Sequence, residues 1–457
     1  MESLFEMDNL FENPLFTSLC EQVKENNHIP PERYKNYEVK RGLRNADGTG
    51  VVAGLTRICN VHGYVLSEGE KQPVEGELTY RGYRIEDLVN GSHGKGRFGF
   101  EETVFLLLFG SLPTPEQLER FNKLLAESRD LPEYFAEDMI LKAPSPDIMN
   151  KMARSVLTMY SYDSHPEPES LENVMRQCLQ LIAMLPTVLG YAYQVKRRHY
   201  DKESMYFHQM LPNLSTAQTI LRTIRADAKY TEEEARLLDL CLMLHAEHGG
   251  GNNSAFAARV LSSSGTDTYS AIAAAIGSLK GPRHGGANLK VTEMLEDIKA
   301  HVKNPADDGE IADYLGKMLR REAGDGSGLI YGMGHAVYTL SDPRAVILKR
   351  EARRMAELNG YGEDFRLLEA VERLAPTVMK EVRGIDRAVC ANVDMYSGLV
   401  YRSLGISEDL FTPLFAVARI SGWCAHRLEE YLTGNRIIRP AYKPFSKEKD
   451  YIPLESR

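Results

Sequence analysis

The sequence predicts a mainly α protein, a large helical domain plus a smaller helical one. Three observations predict it. Apolar residues recur at helical spacing through most of the 457 residues. Strand signals are few and form no series alternating with helices, which argues against a doubly wound dinucleotide fold. Two polar, glycine-containing interruptions, His301 to Gly309 and Glu322 to Gly328, lie in a run from about Leu289 to Gly405 that reads as a smaller unit inserted into the larger. The predicted division is residues 1–288 with 406–457 for the large domain and 289–405 for the small one.

The elements follow in chain order. The stretch from Glu77 to Arg84 alternates weakly and contains Gly82, so a short hairpin is expected there. Thr114, Pro115 and Gln117 form a helix start, with a capping hydroxyl, Pro at the first helical position and Gln three residues after the cap. Ser145, Pro146 and Asp147 open a segment with Ile148, Met152, Val156 and Tyr160 along one face. Glu232 to His248 reads as a helix with Leu237, Leu238, Cys241, Leu242, His245 and His248 on its apolar side, and Lys290 to Val302 as another. Asp342 and Pro343 repeat the start device ahead of Ala345, Leu348, Ala352 and Met355. No internal repeat or low-complexity tract interrupts this pattern.

Composition narrows the function classes. With 55 Lys and Arg against 64 Asp and Glu, the net charge is −9, which excludes a generally basic protein that coats nucleic acid. The apolar stretch Leu410 to Ala418 is broken by Thr412 and Pro413, so no membrane span is expected. The residues from Met1 to Asp8 carry Glu2, Glu6 and Asp8 and no base, which fits neither a secretory signal nor a transit peptide and predicts a cytoplasmic location. Cys20, Cys59, Cys178, Cys241, Cys390 and Cys424 are far apart with no CxxC pair, so reduced thiols are expected rather than a zinc ribbon or dithiol site.

Three of the twelve histidines sit in glycine-rich contexts: His248 before Gly249, Gly250 and Gly251; His284 before Gly285 and Gly286; and His335 after Gly332 and Gly334. Glycine beside a functional side chain lets a ligand approach the backbone. Any one of these histidines is best read as a loop residue; three together suggest a shared pocket. His245 and His248, three apart on one face, resemble part of a metal site, but the Pro-Cys-x-x-Cys that completes a zinc deaminase site is missing; a packed helix histidine is preferred for His245 and an anion contact for His248. His284 precedes a helix, whose positive end disfavours imidazolium and favours a neutral donor to a carbonyl or enol. Asp394 lies between Val393 and Met395, where it is either a helix cap or a desolvated, more basic carboxylate. Arg344, Arg419 and Arg439 stand in small or apolar surroundings; each pairs with an internal carboxylate, or together they trap a dicarboxylate.

At this point the residues resemble the citrate synthase family. The resemblance runs in order through Tyr80 to Tyr83, Phe100 to Glu102, Leu185 and Pro186, His245 to His248 with Asn252 and Ser254, Gly281 to Asn288, Gly332 to Val337, Asp342 to Arg344, Asn392 to Asp394, Phe415 to Trp423, and Ile438 to Pro440. It implies a mainly α homodimer whose subunits each close a smaller domain over a larger one. It further implies condensation of acetyl-CoA with oxaloacetate and hydrolysis of citryl-CoA to citrate and CoA, with acetyl-CoA as co-substrate and no metal or other cofactor. The implied roles are Asp394 as base, His284 as donor to the enol and His335 as donor to the oxaloacetate carbonyl. His248, Arg344 and Arg419 would hold carboxylates with Arg439 from the partner subunit, Ser254 would orient His284, and the backbone of Gly332 to Gly334 would meet the adenine of CoA. The chain departs from the family pattern at Gly249, where Glu is common, at Arg283, where a small or apolar residue is usual, and between His335 and Asp342, which holds no Lys or Arg. Three other readings stand beside this one: a 2-methylcitrate synthase using propionyl-CoA, a catalytically silent regulator that binds oxaloacetate or CoA, and a zinc hydrolase at His245 and His248.

Overall fold

The computed structural model describes residues 14–67, 70–434, 436–444, 446 and 448–457. The stretch from Met1 to Asp8, on which the absence of a signal segment was inferred, lies outside the described residues. The chain divides into two compact units, Met1–Ala53 with Arg439–Arg457, and Gly54–Ile438. The first unit holds α1 (Pro14–Asn26) and α2 (Pro31–Asn36), followed by a turn closed by a bridge between Arg44 and Gly50.

The second unit opens with a three-stranded antiparallel sheet, β1 (Cys59–Ser67), β2 (Glu70–Tyr80) and β3 (Tyr83–Arg84). The turn between Tyr80 and Tyr83 is the expected hairpin, while the longer β1–β2 pair was not foreseen, because Gly63, Pro73 and Gly76 interrupt its alternation. Helices follow: α3 (Ile85–Gly91), α4 (Phe100–Phe109), α5 (Pro115–Glu127), α6 (Ile148–Met159), α7 (Leu171–Lys196), α8 (Thr216–Ile224), α9 (Glu232–His245), α10 (Asn253–Ser263) and α11 (Thr268–Lys280). Then come α12 (Ala287–His301), α13 (Asp308–Arg320), α14 (Pro343–Leu358), α15 (Gly362–Arg383), α16 (Asp394–Ser403) and α17 (Phe411–Thr433). The mainly α expectation holds.

The start signals act as their chemistry requires. Thr114 and Gln117 form a reciprocal capping box on α5, with Pro115 in the first turn. The side chains of Asp147 and Asp342 accept backbone N–H groups at the starts of α6 and α14. Ile148, Met152 and Val156 are buried, as are Ala345, Leu348, Ala352 and Met355, so the apolar stripes face the core.

At the centre of this unit α17 touches α4, α7, α9, α10, α11 and α12, and every residue from Pro413 to Leu428 is buried. A helix enclosed on all sides must carry its polar groups inward, and α17 does so at Arg419, Trp423, His426 and Glu430, spaced four, three and four along one face. Contrary to the sequence expectation, one segment, Leu171–Asp201, is long and apolar enough to cross a membrane. It packs as a core helix instead, 72% of its most apolar window being enclosed by protein.

Candidate active site

Tyr80 anchors one wall of the site. Its buried hydroxyl lies 3.1 Å from the carbonyls of Met243 and Glu247 and accepts the Glu247 N–H at 3.3 Å, so β2 pins the turn where α9 ends. The helix read through His248 therefore stops at His245, and the chain turns through Gly249 at φ +88°. That left-handed backbone explains the glycine where the resembled family often has Glu: a side chain there is strained, and its Cβ would press Val61 at 3.3 Å.

Of the two histidines flanking this turn, His245 is the packed one. Its Nδ1 sits 2.7 Å from the Cys241 carbonyl, its ring meets Phe415 edge-on, and burial pushes it down to about 3. His248 faces His335 and Tyr338, its ring 5.0 Å from that of His335. Burial, then Arg344, His335 and Arg419, hold it well below its usual 6.5, so it is neutral at pH 7. Among the described residues these histidines join no cluster of three metal-ligating side chains.

His284 lies in the turn before α12, held by the Thr412 hydroxyl donating to the Gly285 carbonyl at 3.0 Å. Its Nε2 is 3.1 Å from Ser254 Oγ. That hydroxyl accepts the Trp423 indole N–H at 3.0 Å and has one proton to give, to Asn252 Oδ1 at 2.9 Å or to His284 Nε2. When it goes to the histidine, the imidazole carries its proton on Nδ1. His284 is pushed down to about 4 by burial first and by the Arg419 charge second; the expected neutral state is present, though the leading cause is desolvation rather than the helix end.

The segments around His335 and Asp394 are laced together. Gly334 N–H donates to the Cys390 carbonyl at 2.8 Å, Asn392 N–H to the Gly332 carbonyl at 2.8 Å, and the Asn392 side chain to the Gly334 carbonyl at 2.9 Å. His335 Nδ1 accepts N–H groups from Val337 and Tyr338, both at 3.1 Å. A neutral ring so held carries its proton on Nε2.

Asp394 is the first residue of α16, and its side chain makes no capping bond. The desolvated reading of this residue is thus the one the geometry supports. Burial pushes the carboxyl from 3.8 up to about 6, and Asp342 adds to the rise, against the stabilising pull of Arg344 and Arg419.

The arginines part ways. Arg344 is paired bidentately with Asp342, Nε at 3.0 Å and a terminal nitrogen at 2.7 Å, both side chains buried. Arg419, 0% exposed, gives its Nε to the His245 carbonyl at 2.7 Å and lies over the Phe415 ring. Both of its terminal nitrogens are buried without a hydrogen-bond partner among the described residues. A desolvated guanidinium fork of this kind calls for a carboxylate. Arg439 belongs to the first unit and is exposed.

Sequence reasoning missed several supports: Asp342 as the partner of Arg344, Trp423 behind Ser254, Tyr338 at His248, and a buried chain from Glu247 through His426 to Arg259. In that chain Arg259 donates to His426 Nδ1 at 2.7 Å and His426 Nε2 donates to Glu247 at 2.9 Å. A signal existed for two of them, since Trp423 and His426 fall at helical spacing from Arg419.

Comparison with known proteins bears on this constellation. The family model described as "Citrate synthase, C-terminal domain" matches residues 45–441. A citrate synthase of Synechocystis is 34% identical over 434 residues, covering 92% of this chain and 95% of its own. A 2-methylcitrate synthase of Corynebacterium glutamicum is 32% identical, covering 92% and 99%. The crystal structure of citrate synthase from Thermotoga maritima superposes with a TM-score of 0.71 at 29% identity, over 92% of this chain and 99% of its own.

Proposed function

The chain belongs to the citrate synthase family, and from that premise we propose that it condenses acetyl-CoA with oxaloacetate and hydrolyses the resulting citryl-CoA to citrate and CoA. The observation that carries this reading is a base raised to about 6 by burial and a histidine that stays neutral at pH 7, both within the field of the Arg419 guanidinium.

The chemistry follows from those two groups. A thioester methyl is too weakly acidic for a carboxylate alone, so proton removal needs a donor at the oxygen where charge develops. Asp394 takes the methyl proton and the His284 N–H stabilises the enol. The enol carbon bonds to the carbonyl carbon of oxaloacetate, and His335 Nε2–H supplies the proton to the oxygen that becomes the citrate hydroxyl. Water then adds to the thioester carbonyl, the C–S bond breaks, and the sulfur leaves protonated as CoA.

His248, Arg344 and Arg419 hold the oxaloacetate carboxylates, with Arg439 contributed by the partner subunit of a homodimer. The Arg419 fork supports this directly, and Arg344, already paired with Asp342, acts as a partly neutralised contact. Ser254 orients His284. The Gly332 carbonyl and both polar backbone groups of Gly334 are engaged with residues 390–392, so the contact we assign there to the CoA adenine is mainly packing against glycine backbone. Residues 289–405 act as the smaller domain, closing to exclude water before condensation. All six cysteines are free, which supports a reducing, cytoplasmic setting. The chemistry calls on no group beyond acetyl-CoA and these side chains.

The Corynebacterium relative favours a second reading, propionyl-CoA in place of acetyl-CoA. One methylene is discriminated by only about 1–3 kcal/mol. Thiol release with oxaloacetate and each thioester separates the readings through kcat/KM. We expect acetyl-CoA to be preferred; a clear propionyl preference overturns the citrate assignment, and no thiol release from folded protein overturns both.

A further inference from the structure

We propose that Tyr338 is a positioning residue that sets where the protons sit on both His248 and His335, and that Gly63 and Gly76 of the β1–β2 hairpin are the seat of its ring. The proposal rests on reading this pocket as the oxaloacetate site.

Tyr338 is 1% exposed, in the stretch after His335 that carries no cation. It meets the two histidines by four contacts, one of them its ring edge-on to His248 at 5.6 Å between centroids. Its hydroxyl lies 3.3 Å from His248 Nε2. Its ring stacks on His335 at 4.5 Å between centroids and 24° between planes. Its own backbone N–H is one of the two that donate to His335 Nδ1. The histidine rings stand 5.0 Å apart and nearly perpendicular.

The proton positions follow. His335, accepting at Nδ1, keeps its proton on Nε2. Burial holds the Tyr338 phenol above its usual range, so it remains a donor, and burial first, then the charges of Arg344 and Arg419, holds the His248 imidazole neutral. A phenol donating to a neutral imidazole at Nε2 leaves the His248 proton on Nδ1. The two proton positions are then complementary, Nε2 on His335 and Nδ1 on His248.

The ring has no freedom to leave this place. A Cβ on Gly63 would stand 3.1 Å from Tyr338 Cα and 3.2 Å from its ring, and one on Gly76 would stand 2.1 Å from the Ser341 carbonyl oxygen and 2.9 Å from the same ring. The register of the hairpin shifts between His62 and Tyr64, at the first of these glycines. Gly76 N–H donates to Ser341 Oγ at 3.1 Å, and that hydroxyl donates to Glu75, which ties β2 to the loop from His335 to Asp342. Two glycines facing one tyrosine from adjacent strands make a slot, and the slot also accounts for the broken alternation of β1 and β2.

The test is Tyr338→Phe in the full-length protein, which keeps the ring and removes the hydroxyl. Long-range 15N–1H spectra of the imidazoles, with His248 assigned by its loss in His248→Asn, read the proton positions without substrate. We expect His248 to change from Nδ1–H to a mixture while His335 stays Nε2–H. The oxaloacetate KM should rise about tenfold, or about 1.4 kcal/mol, with kcat within about twofold. Gly76→Ala, which displaces the ring, should raise the same KM and disturb His335 as well; should it fail to fold, Tyr338→Phe decides alone. An unchanged His248 tautomer with KM within twofold overturns the proposal. Loss of kcat at constant KM overturns it too. A wild-type protein that releases no thiol would instead fail the functional reading, while the spectra still report on Tyr338.

Discussion

Replacing Asp394 by Asn should abolish turnover and yet make the protein more stable at pH 8. The carboxyl is displaced from 3.8 to about 6, chiefly by burial. At about 1.4 kcal/mol per tenfold in proton affinity, keeping this group ionised costs the fold up to about 3 kcal/mol. Between those two values the folded chain binds more protons than the unfolded one, so stability falls as pH rises through the window and stays low above it. Asn removes that slope. A buried amide carries its own, pH-independent desolvation cost, so we expect a net gain of about 1–2 kcal/mol at pH 8, falling by about 1.4 kcal/mol, to near zero, at pH 5. Urea midpoints at fixed protein concentration measure it. In the wild type, kcat/KM reports the free base and should drop to about a tenth of its plateau at pH 5, whereas a carboxyl at 3.8 would leave it nearly unchanged. A flat profile from pH 8 to 5, or an Asn variant that is less stable by the same amount at both pH values, would refute the reasoning.

Arg419→Met removes a buried cation whose terminal nitrogens have no hydrogen-bond partner among the described residues, so the substrate-free protein should match or exceed the wild type in urea. Oxaloacetate at a hundred times its Kd should stabilise the wild type by about 2.7 kcal/mol and leave the variant unmoved. Ser254→Ala should lower kcat by about tenfold or more while changing the oxaloacetate KM little, because Ser254 touches His284 and no carboxylate clamp; steady-state kinetics at saturating acetyl-CoA separate the two. Gly422→Ala places a Cβ 2.0 Å from Glu247 Oε2 and 2.6 Å from the Ala246 carbonyl. It should cost about 2 kcal/mol or more in chemical denaturation.

The elements legible in the sequence were those with local punctuation. Thr114 with Gln117, Asp147 and Asp342 each cap a helix through groups within three residues, so a window of sequence contains the whole interaction. The β1–β2 hairpin was not legible, because its glycines answer to Tyr338 and Ser341 more than 260 residues away rather than to strand propensity. The site divides likewise. His248, His284, His335 and Asp394 announce themselves through glycine or apolar neighbours, but what shifts His248, His284 and Asp394 is set by the whole fold: burial first, then charges such as Arg419, which reaches all three from a different helix. The separate fates of Arg344 and Arg419, one paired and one not, depend on burial and direction, which composition does not encode.

The polar face of α17 carries an evolutionary consequence. One rigid rod carries the Arg419 fork, whose terminal nitrogens have no hydrogen-bond partner among the described residues, and brings Trp423, His426 and Glu430 to Ser254, Glu247 and Arg259. Each residue advances the helix by about 100°, so inserting or deleting a single residue upstream of Arg419 would swing all four side chains into apolar neighbours at once. Point changes on this helix can be repaired one at a time; a frame slip cannot. A change of length is therefore far better tolerated in the loops flanking α17 than within it, and this helix serves as the ruler against which its four polar contacts keep their place.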